Sequence, residues 1–296
     1  LTSYQIGNWE WNHRGQYAPT LNIVEEYYTK NGVPIEEDKT TSMAEQYELV
    51  DTPDDQPAFF ISGYKTIKLH LNREPRFYAN IRFHGKYCSF DDDKRQHNIG
   101  FDGGKWFTME SDSPEKAYGI NSKKGGIAGY ETYYTSATGY FSKKVCSYKN
   151  QNCKEVQSNY IYPNTHLRLA DLYLMYSEAL NETMEKPNPE VYEYIQRVRH
   201  RAGLDVGTTL QNTWAQYSKN PTKPLSKEGM REIIHRERLI EMQFEGCRMH
   251  DLRRWKECGK YLNTQMRGLS ITQKTPELFY KPVVIYTREF SVRDYL

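Results

Sequence analysis

The sequence predicts a mainly α protein, in which helical hairpins support a large, irregular, loop-rich part with short β-strands. Two observations predict this class. Residues 161–296 carry apolar side chains at helical spacing, whereas residues 1–160 are interrupted at short intervals by Pro, Gly, Asn and Asp. We therefore divide the chain into an irregular subdomain (1–160), a helical hairpin (161–204) and a C-terminal helical segment that packs on it (205–296).

In the irregular part, one helix is predicted after Thr20. It would carry Leu21, Val24 and Tyr28 on one side and stop at Gly32. Apolar residues alternate over 77–83, which predicts a strand, and 139–145 is a second candidate strand.

In the helical part, an apolar stripe over 166–180 predicts one helix, and a second covers 191–198 and ends before Gly203 as its C′ residue. The two resemble a tetratricopeptide-type hairpin. Because one such hairpin cannot bury its own apolar face, we expect further sequence upstream. A third helix is predicted to start after Ser226 as its N-cap and to run through Phe244.

Composition excludes several functional classes. Lys and Arg number 40 and Asp and Glu 38, so the net charge of +2 gives no field that would attract nucleic acid. The 25 Tyr residues suit sugar or protein contact surfaces, although core packing accounts for most of them. There is no apolar run of about 18 residues, so no membrane-spanning helix is predicted. Cys146 and Cys153 flank a polar loop and could form a disulfide in an oxidising compartment; the sequence does not decide whether they do.

Four segments carry a family resemblance. They are residues 72–78 (NREPRFY), 138–144 (TGYFSKK), 167–182 (LRLADLYLMYSEALNE) with 195–204 (IQRVRHRAGL), and 236–255 (RERLIEMQFEGCRMHDLRRW). In this order they resemble the SusD/RagB family of outer-membrane lipoproteins, and the resemblance covers roughly residues 17–296. Met249 departs from the family's aromatic residue, and Cys247 from its usual His or tyrosine-like residue. The chain lacks a starting Met, a signal peptide and a lipobox, so we expect it to be part of a longer protein.

The resemblance implies a surface-exposed outer-membrane protein, held by a lipid anchor outside this chain. It would capture an oligosaccharide or a peptide and deliver it to a SusC-like TonB-dependent transporter, without catalysis, cofactor or metal. In that case residues 1–160 face the substrate and the helices are scaffold. Two alternatives stay open: a surface glycosidase that uses loop carboxylates, and a helical-repeat adaptor without a small ligand.

Aromatic residues with polar neighbours are the predicted ligand contacts, because rings stack on sugar C–H faces while amides and charges bind hydroxyls. Packing of these rings against the helices is the alternative. Trp106 is expected in a loop after Gly103-Gly104. The candidates are Trp9, Trp11, Asn12, Arg14, Asp102 and Trp106.

The last motif predicts a structural ion-pair network rather than a catalytic site. Its predicted members are Arg238, Glu241, Glu245, Arg248 and Asp251. We expect pairs at three-residue spacing, Arg238 with Glu241 and Glu245 with Arg248. Arginines this close keep carboxylates ionised, which makes them unsuitable as general acids.

Overall fold

The computed structural model describes residues 18–56, 59, 60, 64–86, 98–102, 105–108, 136–142, 144, 151, 152, 157, 158, 165–273 and 275–291. The α-helices are α1 (Leu21–Glu26), α2 (Pro75–Asn80), α3 (Leu169–Thr183), α4 (Pro189–Arg201), α5 (Leu210–Tyr217), α6 (Lys227–Glu241), α7 (Arg248–Arg254), α8 (Cys258–Leu262) and α9 (Pro276–Phe279). The strands are β1 (Leu49–Asp51), β2 (Lys65–Ile67), β3 (Ile81–Arg82), β4 (Asn98–Asp102), β5 (Lys105–Thr108), β6 (Phe141–Ser142), β7 (Gln151–Asn152), β8 (Gln157–Ser158), β9 (Thr264–Leu269) and β10 (Pro282–Arg288). Short 3-10 helices span Met43–Glu45, Lys68–His70 and Lys223–Leu225. The mainly α prediction is confirmed.

The predicted hairpin is formed by α3 and α4. Asn188 caps α4 by accepting a hydrogen bond from the Val191 amide, and Gly203 follows the helix with φ +83°, as predicted for a C′ residue. The Ser177 hydroxyl donates to the Val191 carbonyl at 2.8 Å, which allows the helices to approach closely. Leu174 and Ile195 are fully buried. Small and apolar residues at helical spacing therefore produce the hairpin that the sequence predicts.

One face of α3 remains exposed within the described residues. Leu169, Leu172 and Tyr176 follow one another at three- and four-residue spacing and are 60%, 42% and 44% exposed. This apolar stripe fits the expectation that one hairpin does not bury its own apolar surface.

The third predicted helix, α6, starts where expected and ends earlier. Ser226 accepts a hydrogen bond from the Gly229 amide at 3.1 Å, which confirms it as the N-cap. The helix ends at Glu241 rather than at Phe244, because Phe244 and Gly246 both adopt positive φ, at +63° and +81°. The chain turns there before α7.

Two predictions for the irregular part need correction. The first helix is capped by Thr20 but ends at Glu26, before Tyr28. Residues 77–80 belong to helix α2, and only Ile81–Arg82 form a strand, paired with β6. Pro75 at the first turn presets the helical φ of α2. Phe77 and its neighbour Tyr78 are both buried, so alternation was a poor guide to the local structure.

Each described strand pairs with one antiparallel partner: β1 with β2, β3 with β6, β4 with β5, β7 with β8 and β9 with β10. The main apolar core draws on residues between Leu21 and Tyr280, and Leu252, Cys258 and Leu262 form a smaller cluster. The core thus draws on all three predicted segments, and the boundaries at 160 and 204 remain predictions. Within the predicted strand over 139–145, Phe141–Ser142 form β6, and residues 143 and 145 lie outside the described residues. Cys146 and Cys153 lie outside the described residues.

Gly268 in β9 allows close approach to the TGY segment. A Cβ atom there would lie 2.8 Å from the Thr138 Cα and 2.4 Å from the Ile285 Cδ1. We expect Gly268→Ala to lower the free energy of unfolding by about 1–3 kcal/mol, since backbone must move to admit the methyl group. Urea denaturation measures this change.

The matched control is Gly259→Ala. Gly259 lies in α8, and a Cβ atom there would have no neighbour within 4 Å. Alanine is favoured over glycine in a helix, so this variant should be as stable as the wild type or more stable. Equal losses in both variants would contradict a steric role for Gly268.

Candidate functional site

The structure describes two of the six predicted ligand contacts. Asp102 lies at the end of β4, and Trp106 lies in β5. In the hairpin register Asp102 pairs with Lys105, and Phe101 pairs with Trp106. Trp9, Trp11, Asn12 and Arg14 lie outside the described residues.

The loop predicted around Trp106 is a β-hairpin. Two residues, Gly103 and Gly104, separate the paired strands. A two-glycine connection between short strands is a signal for a tight hairpin turn, because glycine adopts the positive φ angles that such turns need. The same glycines also favour a loop, which is the structure that the sequence predicts there. The ligand-binding roles of Asp102 and Trp106 remain predictions.

In the first motif segment, 72–78, the side chain of Arg73 binds main-chain carbonyl groups at the end of α1. The Arg73 guanidinium donates to the carbonyl oxygens of Val24, Tyr27 and Leu69 at 2.9, 2.6 and 2.8 Å. It also reaches the Tyr28 carbonyl. Carbonyls at a helix end lack intrahelical partners and carry partial negative charge, so a buried cation stabilises them.

Arg76, from the same segment, joins three buried carboxylates. Its Nε donates to Glu74 at 2.7 Å, and its Nη1 donates to Glu237 at 2.6 Å and to Glu241 at 3.1 Å. Glu74 and Glu237 have no exposed side-chain surface. Burial raises the pKa of Glu74 above its usual value despite the neighbouring Arg76. The first and last motifs, 161 residues apart, therefore meet in one cluster.

Glu237 extends this cluster to Arg199 in α4. The Arg199 Nη1 donates to Glu237 at 3.0 Å, and its Nε donates to Asp205 at 2.5 Å. The guanidinium also lies 4.8 Å from the ring centroid of Tyr28 and 5.0 Å from that of Trp214. Burial opposes ionisation of Asp205, but Arg199 more than offsets it and holds the pKa of Asp205 below its usual value.

Glu241 and Glu245 face the start of α3. Arg168 donates to Glu241 at 2.9 Å and to both oxygens of Glu245 at 2.8 Å. Arg201 donates to Glu241 at 2.5 Å, and the Lys144 ammonium lies 2.6 Å from Glu245. Burial alone would raise the pKa of Glu241, but the cations around it, Arg76 foremost, hold it below its usual value.

Arg238 and Asp251 form the remaining part of the network. The Arg238 Nε donates to Asp251 at 2.7 Å, and its Nη1 donates to Asp171 in α3. The expected pairs, Arg238 with Glu241 and Glu245 with Arg248, are wrong: both partners of Arg238 lie on other elements, and Arg248 contacts aromatic rings. The turn after Glu241 breaks the helical spacing on which those pairs were based.

The network joins helices, and its carboxyl groups are poorly suited to act as general acids or bases on a substrate. Glu241 is ionised, and Glu74, whose pKa is raised, has no exposed surface through which to meet a substrate. Such buried pairs mainly specify one packing. Sequence reasoning missed Arg76, Arg168 and Arg199 as members, because their partners in the last motif are distant in the chain. It also missed Asp205, although its partner Arg199 is only 6 residues away. For Arg76, Arg168 and Arg199, the position within a recognised motif was the available signal, whereas Asp205 lies just after the segment 195–204.

Two cavities open near the last motif. One of about 420 Å³ has charged walls that include Arg236, Arg248 and Glu257. The other, of about 470 Å³, has mainly apolar walls that include Phe244 and Leu262. Across the described part of the chain no His, Cys, Asp or Glu residues gather in a group of three or more that could hold a metal ion. No helix described here is long and apolar enough to cross a membrane.

The fold is a helical framework in which buried ion pairs join motif segments from distant parts of the chain. The family model of the SusD family matches residues 2–293. The chain belongs to the SusD family.

Two curated relatives from Formosa agariphila match parts of the chain. SusD-like protein P2 is 34% identical over 105 residues, which are 36% of this chain and 18% of that protein. SusD-like protein P25 is 39% identical over 88 residues, which are 30% of this chain and 14% of that protein. The matched segments are thus a small part of these relatives.

Solved structures match nearly the whole chain. BT4246 superimposes with a TM-score of 0.65 at 27% identity, covering 94% of this chain and 41% of BT4246. The SusD-like protein BF3747 from Bacteroides fragilis gives a TM-score of 0.58 at 27% identity, covering 94% of this chain and 43% of BF3747. The chain therefore spans about two fifths of the length of these structures.

Proposed function

We propose that this chain is part of a cell-surface lipoprotein that captures an oligosaccharide or a peptide and delivers it to a SusC-like TonB-dependent transporter in the outer membrane. The observation that carries this proposal is the family match over residues 2–293. The solved SusD-like structures, which cover 94% of the chain, support it.

We also propose that the protein is a binding protein and not a glycosidase. A glycosidase needs two accessible carboxyl groups beside the sugar, one of them a protonated acid. The described carboxylates of the last motif do not provide such a pair, because arginines engage them, as Arg76, Arg168 and Arg201 engage Glu241. Turnover assays on glycans test the alternative that uses loop carboxylates. The substrate contacts would come from the β4–β5 hairpin with Trp106 and from the segment with Trp9 and Trp11.

Co-purification from native membranes tests the transporter partnership. We expect the tagged full-length protein, extracted in mild detergent, to carry a large β-barrel partner that mass spectrometry identifies. A co-expressed outer-membrane lipoprotein of another family, tagged in the same way, is the control. Recovery of the protein without a barrel after gentle extraction would contradict the delivery role and favour the adaptor alternative.

A further inference from the structure

The charged cavity of about 420 Å³ contains an arginine that the network does not use. Its walls include Arg248 at the start of α7, and Glu257, Lys260 and Tyr261 around α8. The volume lies in the range of small-ligand sites, about 300–1,000 Å³. We will call this space the α7–α8 cleft.

Three other cations of the α7–α8 cleft pair closely with carboxylates. Arg236 pairs with Glu26 and Glu36 at 2.7 and 2.6 Å. In the same way Lys223 pairs with Glu37 and Glu232, and Arg231 with Glu182. Among the residues that the structure describes, Arg248 has neither a carboxylate within ion-pair distance nor an acceptor for its N–H groups.

Aromatic rings hold Arg248 in place. Its guanidinium carbon lies 4.8 Å from the ring centroid of Tyr261 and 5.7 Å from that of Trp255. Burial lowers the pKa of Arg248, but arginine remains protonated at neutral pH. Contact with ring faces leaves the N–H edges of a guanidinium free, and these edges match the two oxygens of a carboxylate.

A second cation shares the ring of Tyr261. The Lys260 ammonium also lies 4.8 Å from the Tyr261 centroid, and its nearest carboxylate, Glu257, is at the long distance of 3.9 Å. The other Glu257 oxygen lies 3.6 Å from His235. Arg248 and Lys260 thus lie at one ring, and among the described residues their ion-pair contacts are limited to the long one between Lys260 and Glu257. The N–H edges of Arg248 can therefore pair with an incoming carboxylate.

We propose that Arg248 and Lys260, placed at the ring of Tyr261, form a binding site for a ligand carboxylate in the α7–α8 cleft. The carboxylate belongs to a uronic-acid residue of an oligosaccharide or to the C-terminus of a peptide. The choice of these two sources rests on the proposed capture function, whereas the site itself rests on the unpaired arginine.

Titration calorimetry with matched acid and neutral ligands tests the site on the full-length protein. The probes are D-glucuronate against D-glucose, and dialanine against dialanine amide. We expect at least one acid to bind ten-fold or more tightly than its neutral partner. We expect Arg248→Gln to abolish that difference, a change of at least about 1.4 kcal/mol. Preference for glucuronate indicates a sugar acid, and preference for dialanine indicates a peptide end.

Arg253→Gln is the matched control, because Arg253 lies exposed on the same helix, α7. Its affinity for the acid should equal that of the wild type. Arg248→Lys keeps the charge but lacks the two parallel N–H groups, so we expect an intermediate loss of affinity for the acid. This variant replaces Arg248→Gln in the test if Arg248→Gln folds poorly. Equal affinities for acid and neutral ligands, or equal effects of Arg248→Gln and Arg253→Gln, would overturn the site. If the co-purification recovers no β-barrel partner, the delivery role is contradicted, but the carboxylate site is not.

Discussion

Replacing Glu237 by glutamine is expected to lower the free energy of unfolding by about 3–5 kcal/mol. Glu237 is fully buried and accepts from Arg76 through one oxygen and from Arg199 through the other. Glutamine keeps the shape but removes the charge, so two buried guanidinium groups lose their common counter-ion. Loss of a buried counter-ion is among the most destabilising single changes. Urea denaturation of the full-length protein measures the effect.

The control for this variant is Glu232→Gln, on the same helix. Glu232 pairs with Lys223 at 2.9 Å, but its side chain is 64% exposed. Solvent screens an exposed pair, so the expected loss is below about 1 kcal/mol. If Glu237→Gln costs no more than Glu232→Gln, the buried network does not hold α6 in place.

Arg76→Met is the second large change, with an expected loss of about 3–5 kcal/mol at neutral pH. Methionine fills much of the same volume but leaves Glu74, Glu237 and Glu241 without the guanidinium that joins them. Three carboxylates would then share a poorly solvated site, where their like charges repel.

The loss of unfolding free energy in Arg76→Met should be larger at neutral pH than at acidic pH. Without Arg76, the pKa of Glu74, already raised by burial, rises further, and the pKa of Glu241 rises from its lowered value. A carboxyl whose folded-state pKa is raised opposes folding while ionised, and protonation removes that opposition. The stability difference from the wild type should therefore be greatest at neutral pH. It should shrink as the pH falls through the raised folded-state values toward about 4.

Urea denaturation between pH 7 and pH 4.5 provides this comparison. Arg197→Met is the control, because Arg197 pairs with Glu193 on the surface of α4 and both side chains are about half exposed. Its loss should stay below about 1 kcal/mol at every pH. A deficit in Arg76→Met that grows on acidification would contradict the assigned role of Arg76.

The helical hairpin was predictable because its signals are local. The glycine at 203 and the apolar spacing of α4 lie within one short segment, and the structure confirms them. By contrast, the period-two pattern over 77–83 was misleading. In a helix whose neighbouring residues Phe77 and Tyr78 are both buried, the alternation of apolar and polar residues no longer separates strand from helix.

The charge network was predictable in kind but not in its pairs. Dense acidic and basic residues in 236–255 indicated buried ion pairs, and Arg238, Glu241, Glu245 and Asp251 all form them. Their partners could not be read from spacing, because they come from segments such as that of Arg76, far away in the chain. Local spacing describes a continuous helix, and this helix ends at Glu241.

Arg73 and Arg76 lie three residues apart, yet they impose different constraints on sequence change. Arg73 donates only to main-chain carbonyls, so the side chains of Val24, Tyr27 and Leu69 can be exchanged without loss of these hydrogen bonds. Arg76 donates only to carboxylates, so a change at position 76 requires a compensating change at Glu237 or Glu241. The hydrogen bonds of Arg73 thus do not depend on the identity of the side chains that flank their acceptors, whereas those of Arg76 do.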